Sequence, residues 1–259
     1  MPDAITNQRE QEILHEIRLA GGSCRIGFLA RKLAVSDETI RRNIKTLEAN
    51  GLVKKVHGGV SLSGSAAVPE SPFQRRMDRN TETKKALAAR VADMIDNGDS
   101  LFLDVGSTTA YVAQALQNHQ DLCIVTNSIA VAHMLVARNN NRIFLAGGEL
   151  RAVDGAAFGQ EALNFVRRFN VQYAVISVDA INAHSGFMFH DIQEADISCA
   201  AIKQSQVSIV IADSTKIGPQ APIAMLSPED INVLVTNEQP DEHVVSMLEK
   251  NEIALDVIS

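Results

Sequence analysis

From residue 99 onward, six short apolar runs alternate with helical stretches, and that alternation narrows the possible folds more than any other feature. The runs are SLFLD (100–104), LCIVT (122–126), RIFLA (142–146), VQYAVISV (171–178), VSIVIA (207–212) and NVLVT (232–236). Helical periodicity occupies about 108–117, 129–138, 160–168, 192–204 and 240–250. A strand that is apolar on both faces must be covered on both, and strands joined by helices run parallel. The pattern therefore predicts an α/β domain with a largely parallel, Rossmann-like sheet. In such sheets a ligand lies outside the carboxyl ends of the strands.

Polar residues gather where those ends should be. Asp104-Val105-Gly106-Ser107-Thr108-Thr109 follows the first run, pairing a glycine turn with three hydroxyls at a helix start. Backbone amides and the helix dipole at such a turn suit a phosphate. Asn127 stands in Thr-Asn-Ser after the second run, and Gly147-Gly148 after the third. Asp179 follows the fourth run, Glu194 opens the next helix, and Lys216 closes Asp-Ser-Thr-Lys after the fifth. One convergent site explains these clusters better than separate coincidences.

The first sixty residues read differently. Helical periodicity covers 7–20 and about 26–33, and a third helix starts after Ser36, an N-cap followed by Asp37 and Glu38. Ile40, Ile44 and Leu47 repeat at spacings of four and three, so they face a core, and Asn50-Gly51 ends the helix. Arg42, Lys45 and Thr46 fall opposite, with Thr39 and Arg41 beside them. Arginine can grip guanine or phosphate and threonine a thymine methyl, which suits insertion into a major groove. Two extended segments around Gly58-Gly59 then form a wing bearing Lys54, Lys55 and His57, where point charges meet the DNA backbone. Charge agrees with this division. Residues 1–60 carry ten Lys and Arg against seven Asp and Glu, whereas the whole chain is net −7.

Three motifs within LARKLAVSDETIRRNIKTLEANGLVKKVHGG resemble the N-terminal signature of the DeoR-type bacterial repressors. They are Ser-x-x-Thr-Ile-Arg-Arg at 36–42, Leu-Glu-x-x-Gly at 47–51 and His-Gly-Gly at 57–59. The Asp-x-Gly-x-Thr-Thr turn, Thr-Asn-Ser, Gly-Gly and Asp-Ser-x-Lys resemble the sensor domain of the same family, so the resemblance spans nearly the whole chain. It implies a sensor fold akin to ribose-5-phosphate isomerase and CoA-transferases, with a phosphorylated sugar or polyol as effector. It also implies that Gly106, Ser107, Thr108 and Thr109 hold the phosphate while Asn127, Gly147 and Gly148 shape the pocket. By the same resemblance Asp179 and Glu194 receive hydroxyls and Lys216 faces an anionic group. Departures stand at Asn43, where the family has Asp, and at Lys55, where it has Arg. Ser198 and Cys199 replace a common Lys-Arg pair.

The chain is therefore expected to hold a winged helix-turn-helix over 1–62, a linker over 63–75 and an effector-sensing domain over 76–259. The linker is small, polar and proline-bearing. One helix is expected over about 73–97, whose early basic residues Arg75, Arg76, Arg79, Lys84 and Lys85 read as a solvated face. Partners are expected to be operator DNA, the effector and further copies of the chain, as a dimer or tetramer. Cys24, Cys123 and Cys199 are scattered and no metal-ligand spacing occurs, so no cofactor is expected. No apolar run reaches the ~18 residues of a membrane span, so a cytoplasmic, nucleoid-associated protein is expected. The rival reading is a sugar-phosphate isomerase with an appended helical domain, using Asp179, Glu194 and Lys216 for acid–base chemistry.

Overall fold

Ile13, Ile17, Leu29, Ile40, Ile44 and Leu47 lose all or nearly all solvent contact at the centre of the N-terminal half. The structure is a computed structural model and describes residues 7–20, 23–56, 58–62, 73–225 and 228–258. Three helices supply that core: α1 (Gln8–Leu19), α2 (Ile26–Lys32) and α3 (Asp37–Ala49), with β1 (Ser23–Arg25) between the first two. Ser36 caps α3 as expected, its Oγ accepting from the Thr39 amide at 3.2 Å. The wing is β2 (Val53–Val56) and β3 (Gly59–Leu62), and β1 adds a third antiparallel strand against β3. At three residues, β1 is too short to show a period, which is why sequence reading missed it.

Each glycine of the wing motif has its own reason. Gly58 holds φ +73°, the left-handed region that side chains disfavour. Gly59 instead runs against the neighbouring strand, where a Cβ would stand 2.5 Å from the Cys24 carbonyl oxygen.

The expected helix over 73–97 is two helices, α4 (Phe73–Met77) and α5 (Thr81–Ala92). Asn80, at φ 51°, breaks them, since asparagine tolerates the left-handed region better than most residues. Apolar positions on both sides of the break keep helical spacing, so periodicity alone could not reveal it.

The chain then alternates as expected. β4 (Ser100–Leu103), α6 (Ser107–Ala115), β5 (Cys123–Thr126), α7 (Ile129–Leu135) and β6 (Arg142–Leu145) come first. A small hairpin, β7 (Leu150–Arg151) and β8 (Ala156–Ala157), precedes α8 (Gln160–Val166) and β9 (Val171–Ser177). β10 (Ala180–Asn182), β11 (Gly186–Phe189), α9 (Ile192–Lys203), β12 (Ser205–Ile211), β13 (Ile223–Ala224), β14 (Val233–Thr236), α10 (Glu242–Lys250) and β15 (Ala254–Val257) complete it.

Seven strands form one parallel sheet in the order β15-β14-β12-β9-β4-β5-β6. Alternate residues of β4 serve opposite faces. Leu101 and Leu103 pack with Leu87, Val91 and Val112, whereas Phe102 packs with the cluster holding Phe187, Phe189 and Val210. Burial on both faces explains why the strands read as continuous apolar runs. β10, β11 and β13 form a small antiparallel sheet beside the main one.

Order within the large sheet decides where a ligand can sit. From β4 the chain moves outward through β5 and β6, then returns to place β9 on the other side of β4. The connections leaving β4 and β9 diverge, which opens a crevice at their carboxyl ends.

Gly59→Ala should loosen the wing by roughly 1–3 kcal/mol, because the obstacle is backbone and cannot rotate away. Thermal unfolding of the isolated change against the parent checks this, and an unchanged midpoint would show that the strands part at no cost.

Candidate functional site

At the crevice between β4 and β9 lies a cavity of about 250 Å³. Three successive loops build it: Gly106 to Thr108 after β4, Ser177 to Asp179 at the end of β9, and Asp213 to Lys216 after β12. The α4–α5 junction closes it from the side with Arg76, Arg79, Asn80 and Lys84. Of the residues expected from sequence, Gly106, Ser107, Thr108, Asp179 and Lys216 come together here.

Asp104 and Thr109 serve the loop from behind. The Asp104 carboxylate accepts from the Gly106 amide at 2.9 Å, Thr109 Oγ1 at 2.6 Å, the Ser177 amide at 2.7 Å and Ser177 Oγ at 3.0 Å. Burial pushes this carboxyl above its ordinary range, against the pull of those donors. The bonds draw the loop so close to β9 that a Cβ on Gly106 would stand 1.8 Å from Ser177 Oγ.

The other expected residues lie outside the cavity lining. Asn127 is fully buried and its Nδ2 donates to the Ala157 carbonyl at 3.1 Å, tying β5 to the hairpin. Gly147 and Gly148 are exposed past β6, where Gly148 takes φ +140° beneath the Phe158 carbonyl. Glu194 is held by Arg151, which also engages Asp154 and Asp191 and lies 4.0 Å from the Phe158 ring centroid. Burial works against the Arg151 charge, yet these carboxylates outweigh it and hold the guanidinium protonated. Ser198 is buried in α9 and Cys199 packs on the core, so neither lines the cavity.

Sequence reading placed Arg76, Arg79 and Lys84 on a solvated face; Arg79 is exposed as expected, at the cavity's rim, but Arg76 is half-buried and Lys84 is buried. Lys84 is only 5% exposed. Its Nζ donates to Ser107 Oγ at 3.0 Å and to the Arg76 carbonyl. Burial pushes its ammonium down to about 8, with Asp213 opposing and the nearby cations Lys216, Arg76 and Arg79 assisting. A signal was available: Lys84 falls on the same helical stripe as Leu87, Ala88 and Val91, the buried face of α5. A lysine on a core stripe needs a partner inside.

Two acids balance the cavity's cations. Asp179 accepts from the His190 amide at 2.8 Å and pairs with Lys216 at 3.7 Å. Asp213 caps a short 3₁₀ turn through the Thr215 amide at 3.0 Å and meets Asn80 Nδ2 at 3.4 Å. The result is a positively biased pocket in which Asp179, paired with its lysine, also lines the cavity. A phosphate would find hydroxyls, helix amides and cations together.

At the other end of the chain, Arg41, Arg42, Lys45 and Thr46 are exposed on α3, as are Ser36 and Thr39 at its start. Ser36 and Thr39 hydroxyls also bond each other at 2.9 Å. Asn43 Nδ2 donates to the Thr39 carbonyl at 2.8 Å, a bond that an aspartate could not make when ionised. Lys54 is exposed on the wing, whereas Lys55 reaches back to Glu48 with Nζ 3.6 Å from Oε2 and its amide 3.0 Å from Oε1. His57 lies outside the described residues.

Comparison with known proteins agrees with both halves. A profile described as the DeoR-like helix-turn-helix domain matches residues 9–66, and one described as the DeoR C terminal sensor domain matches residues 79–238. The chain is 34% identical over 229 residues to the glycerol-3-phosphate regulon repressor of Escherichia coli K12, covering 88% of this chain and 90% of the relative. It is 34% identical over 249 residues to the transcriptional repressor CsqR of the same organism, covering 96% and 94%. Among solved structures, ribose 5-phosphate isomerase from Plasmodium falciparum is similar over 52% of each chain, at 15% identity and a TM-score of 0.38. With both profiles matched in order and relatives aligned almost end to end, the chain belongs to the DeoR family of helix-turn-helix transcriptional repressors.

Proposed function

We propose that this repressor holds operator DNA through α3 and the wing, and releases it when a phosphorylated sugar or polyol occupies the cavity between β4 and β9. The observation that carries the reading is the buried Lys84 joined to Ser107 at the mouth of a helix, inside a pocket also lined by Arg76 and Arg79. A buried cation beside free helix amides is a costly arrangement unless an anion uses it. The phosphate would rest on Ser107, Thr108 and Lys84, with Arg76 and Arg79 across from them. Asp179 would accept sugar hydroxyls and Lys216 would orient it. The relative named for the glycerol-3-phosphate regulon supports a phosphorylated polyol, and another, 29% identical, is named a lactose phosphotransferase system repressor.

The family places the chain among regulators rather than enzymes. The acid–base set of the rival reading is also split, since Glu194 is bound to Arg151, a group that stays protonated, and lies outside the cavity lining. DNA contact would come from Thr39, Arg41, Arg42, Lys45 and Thr46 in the groove, with Lys54 on the backbone. Two copies reading two half-sites fit this mode, so a dimer or a pair of dimers is part of the proposal.

Fluorescence anisotropy with DNA from upstream of its own gene should give tight binding that one sugar or polyol phosphate weakens at least tenfold. That change requires about 1.4 kcal/mol of discrimination between the two states. If no phosphate in a broad panel alters binding, the effector reading is wrong. Arg42→Ala should weaken operator binding by roughly 1–3 kcal/mol if it reads a base; unchanged affinity would take Arg42 off the DNA.

Lys84 also sets a pH dependence. Its free ammonium titrates near pH 8, and an anion binds the charged form, so the bound value lies higher. Phosphate affinity should be full below about pH 8 and fall as pH rises above it, by up to about tenfold per unit. A phosphate monoester is already largely dianionic there, with its own pKa near ~6. Calorimetry between pH 7 and 9 checks this, and Lys84→Met should flatten the profile; a flat profile in the parent would exclude Lys84 from the site.

A further inference from the structure

We propose that α4 is the element through which an anion in this cavity governs the DNA-binding half, with Lys84 and Tyr111 as the positioning residues that seat it. The inference rests on the effector-site reading above and adds the route by which the site acts.

α4 is the first described segment after residues 63–72, so whatever seats α4 sets where the chain leaves the sensor domain. Five residues cannot sustain a helix unaided, and its conformation depends on contacts from outside. Four groups supply them, one being Thr81 Oγ1, which donates to the Met77 carbonyl at 3.4 Å. The Phe73 amide donates to the Val153 carbonyl at 3.1 Å in the β7–β8 turn. Lys84 Nζ donates to the Arg76 carbonyl, and Tyr111 Oη donates to the Met77 carbonyl at 3.1 Å. The last two hold the carbonyls at the end of α4; Lys84 lines the anion cavity, and Tyr111 stands behind it on α6, the helix whose first turn lines it. Lys84 also holds Ser107, and Tyr111 stands one turn further along α6, the helix that Ser107 begins. Asn80, in the left-handed region, is the joint about which α4 can turn against α5.

Charge gives the direction. Arg76, Arg79, Lys84 and Lys216 share one cavity, while Asp179 is paired with Lys216 and Asp213 is engaged by Thr215 and Asn80. Without an anion, Lys216, Arg76 and Arg79 each push against the Lys84 charge, with Asp213 opposing them. A phosphate, carrying about −1.5 to −2 charges, turns that repulsion into attraction. It draws Arg76 and Arg79 towards the loop. Lys84 has three N–H donors, so it can keep Ser107 and the Arg76 carbonyl while giving the third to the anion. Anion binding therefore tightens α4 against the sensor, and this ordering step fixes the point at which the chain enters the sensor domain.

Hydrogen exchange on the full chain, with inorganic phosphate against chloride at equal ionic strength, tests the route. Peptides over 106–112 and over 73–80 should both slow by about threefold or more with phosphate. In Tyr111→Phe, which keeps the buried ring, 106–112 should still slow while 73–80 loses at least half of its response. Slowing at 106–112 with no change at 73–80 in the parent would overturn the coupling and leave the site intact. If neither region responds at any phosphate concentration, the anion site itself fails and the coupling with it. Full response of 73–80 in Tyr111→Phe would remove the tyrosine from the route.

Discussion

One buried carboxylate organises the sensor domain. Asp104 follows β4 and takes four hydrogen bonds, two from the turn that follows it and two from Ser177 on the neighbouring strand. Those bonds fix Gly106 against β9, start α6 at the right point and aim Ser107 and Thr108 into the crevice. The loop after β4 and the end of β9, two of the three that build the cavity, are joined by this clamp. It sits where the sheet's winding reverses, so strand order and side-chain chemistry choose the same spot.

The polar groups around the clamp divide by depth. Asp104, Thr109 and Asn127 face inward and build the frame, while Ser107, Thr108, Lys84 and Asp179 reach the open space. A second polar knot, Arg151 with Asp154, Asp191 and Glu194, ties the β7–β8 hairpin to the start of α9. It holds the same hairpin that receives the Phe73 amide. His190, one residue before Asp191, donates its amide to Asp179 in the cavity. The frame and the cavity thus share neighbours along the backbone.

Much of this was legible from residues alone. The alternating apolar runs predicted the parallel sheet because burial on both faces leaves a continuous apolar signature. Ser36, Ile40, Ile44 and Leu47 located α3 because cap and core stripe agree. What sequence could not show was which polar residues at strand ends face the same way. Asn127, Gly147, Gly148 and Glu194 sit at the right ends but outside the cavity lining, since loop geometry rather than spacing decides direction. Lys84 stood legibly on the core stripe of α5, but Arg76 and Arg79 were hidden for the opposite reason. They precede the sheet in sequence and reach its crevice only because the chain breaks at Asn80 and folds α4 back beside α6. The edge strand β15 and the small sheet of β10, β11 and β13 escaped notice because short or half-exposed strands carry little periodic signal.

The contact between Lys55 and Glu48 has a further meaning for the DNA-binding end. It fastens the wing to the last turn of α3 by a backbone bond and an ion pair. Base reading and backbone grip then move as one rigid tool. On the proposed reading, an effector has no need to reshape the tool to dislodge it, since altering the handle is enough. Such a design keeps α3 and the wing in one fixed register with each other, whatever moves them.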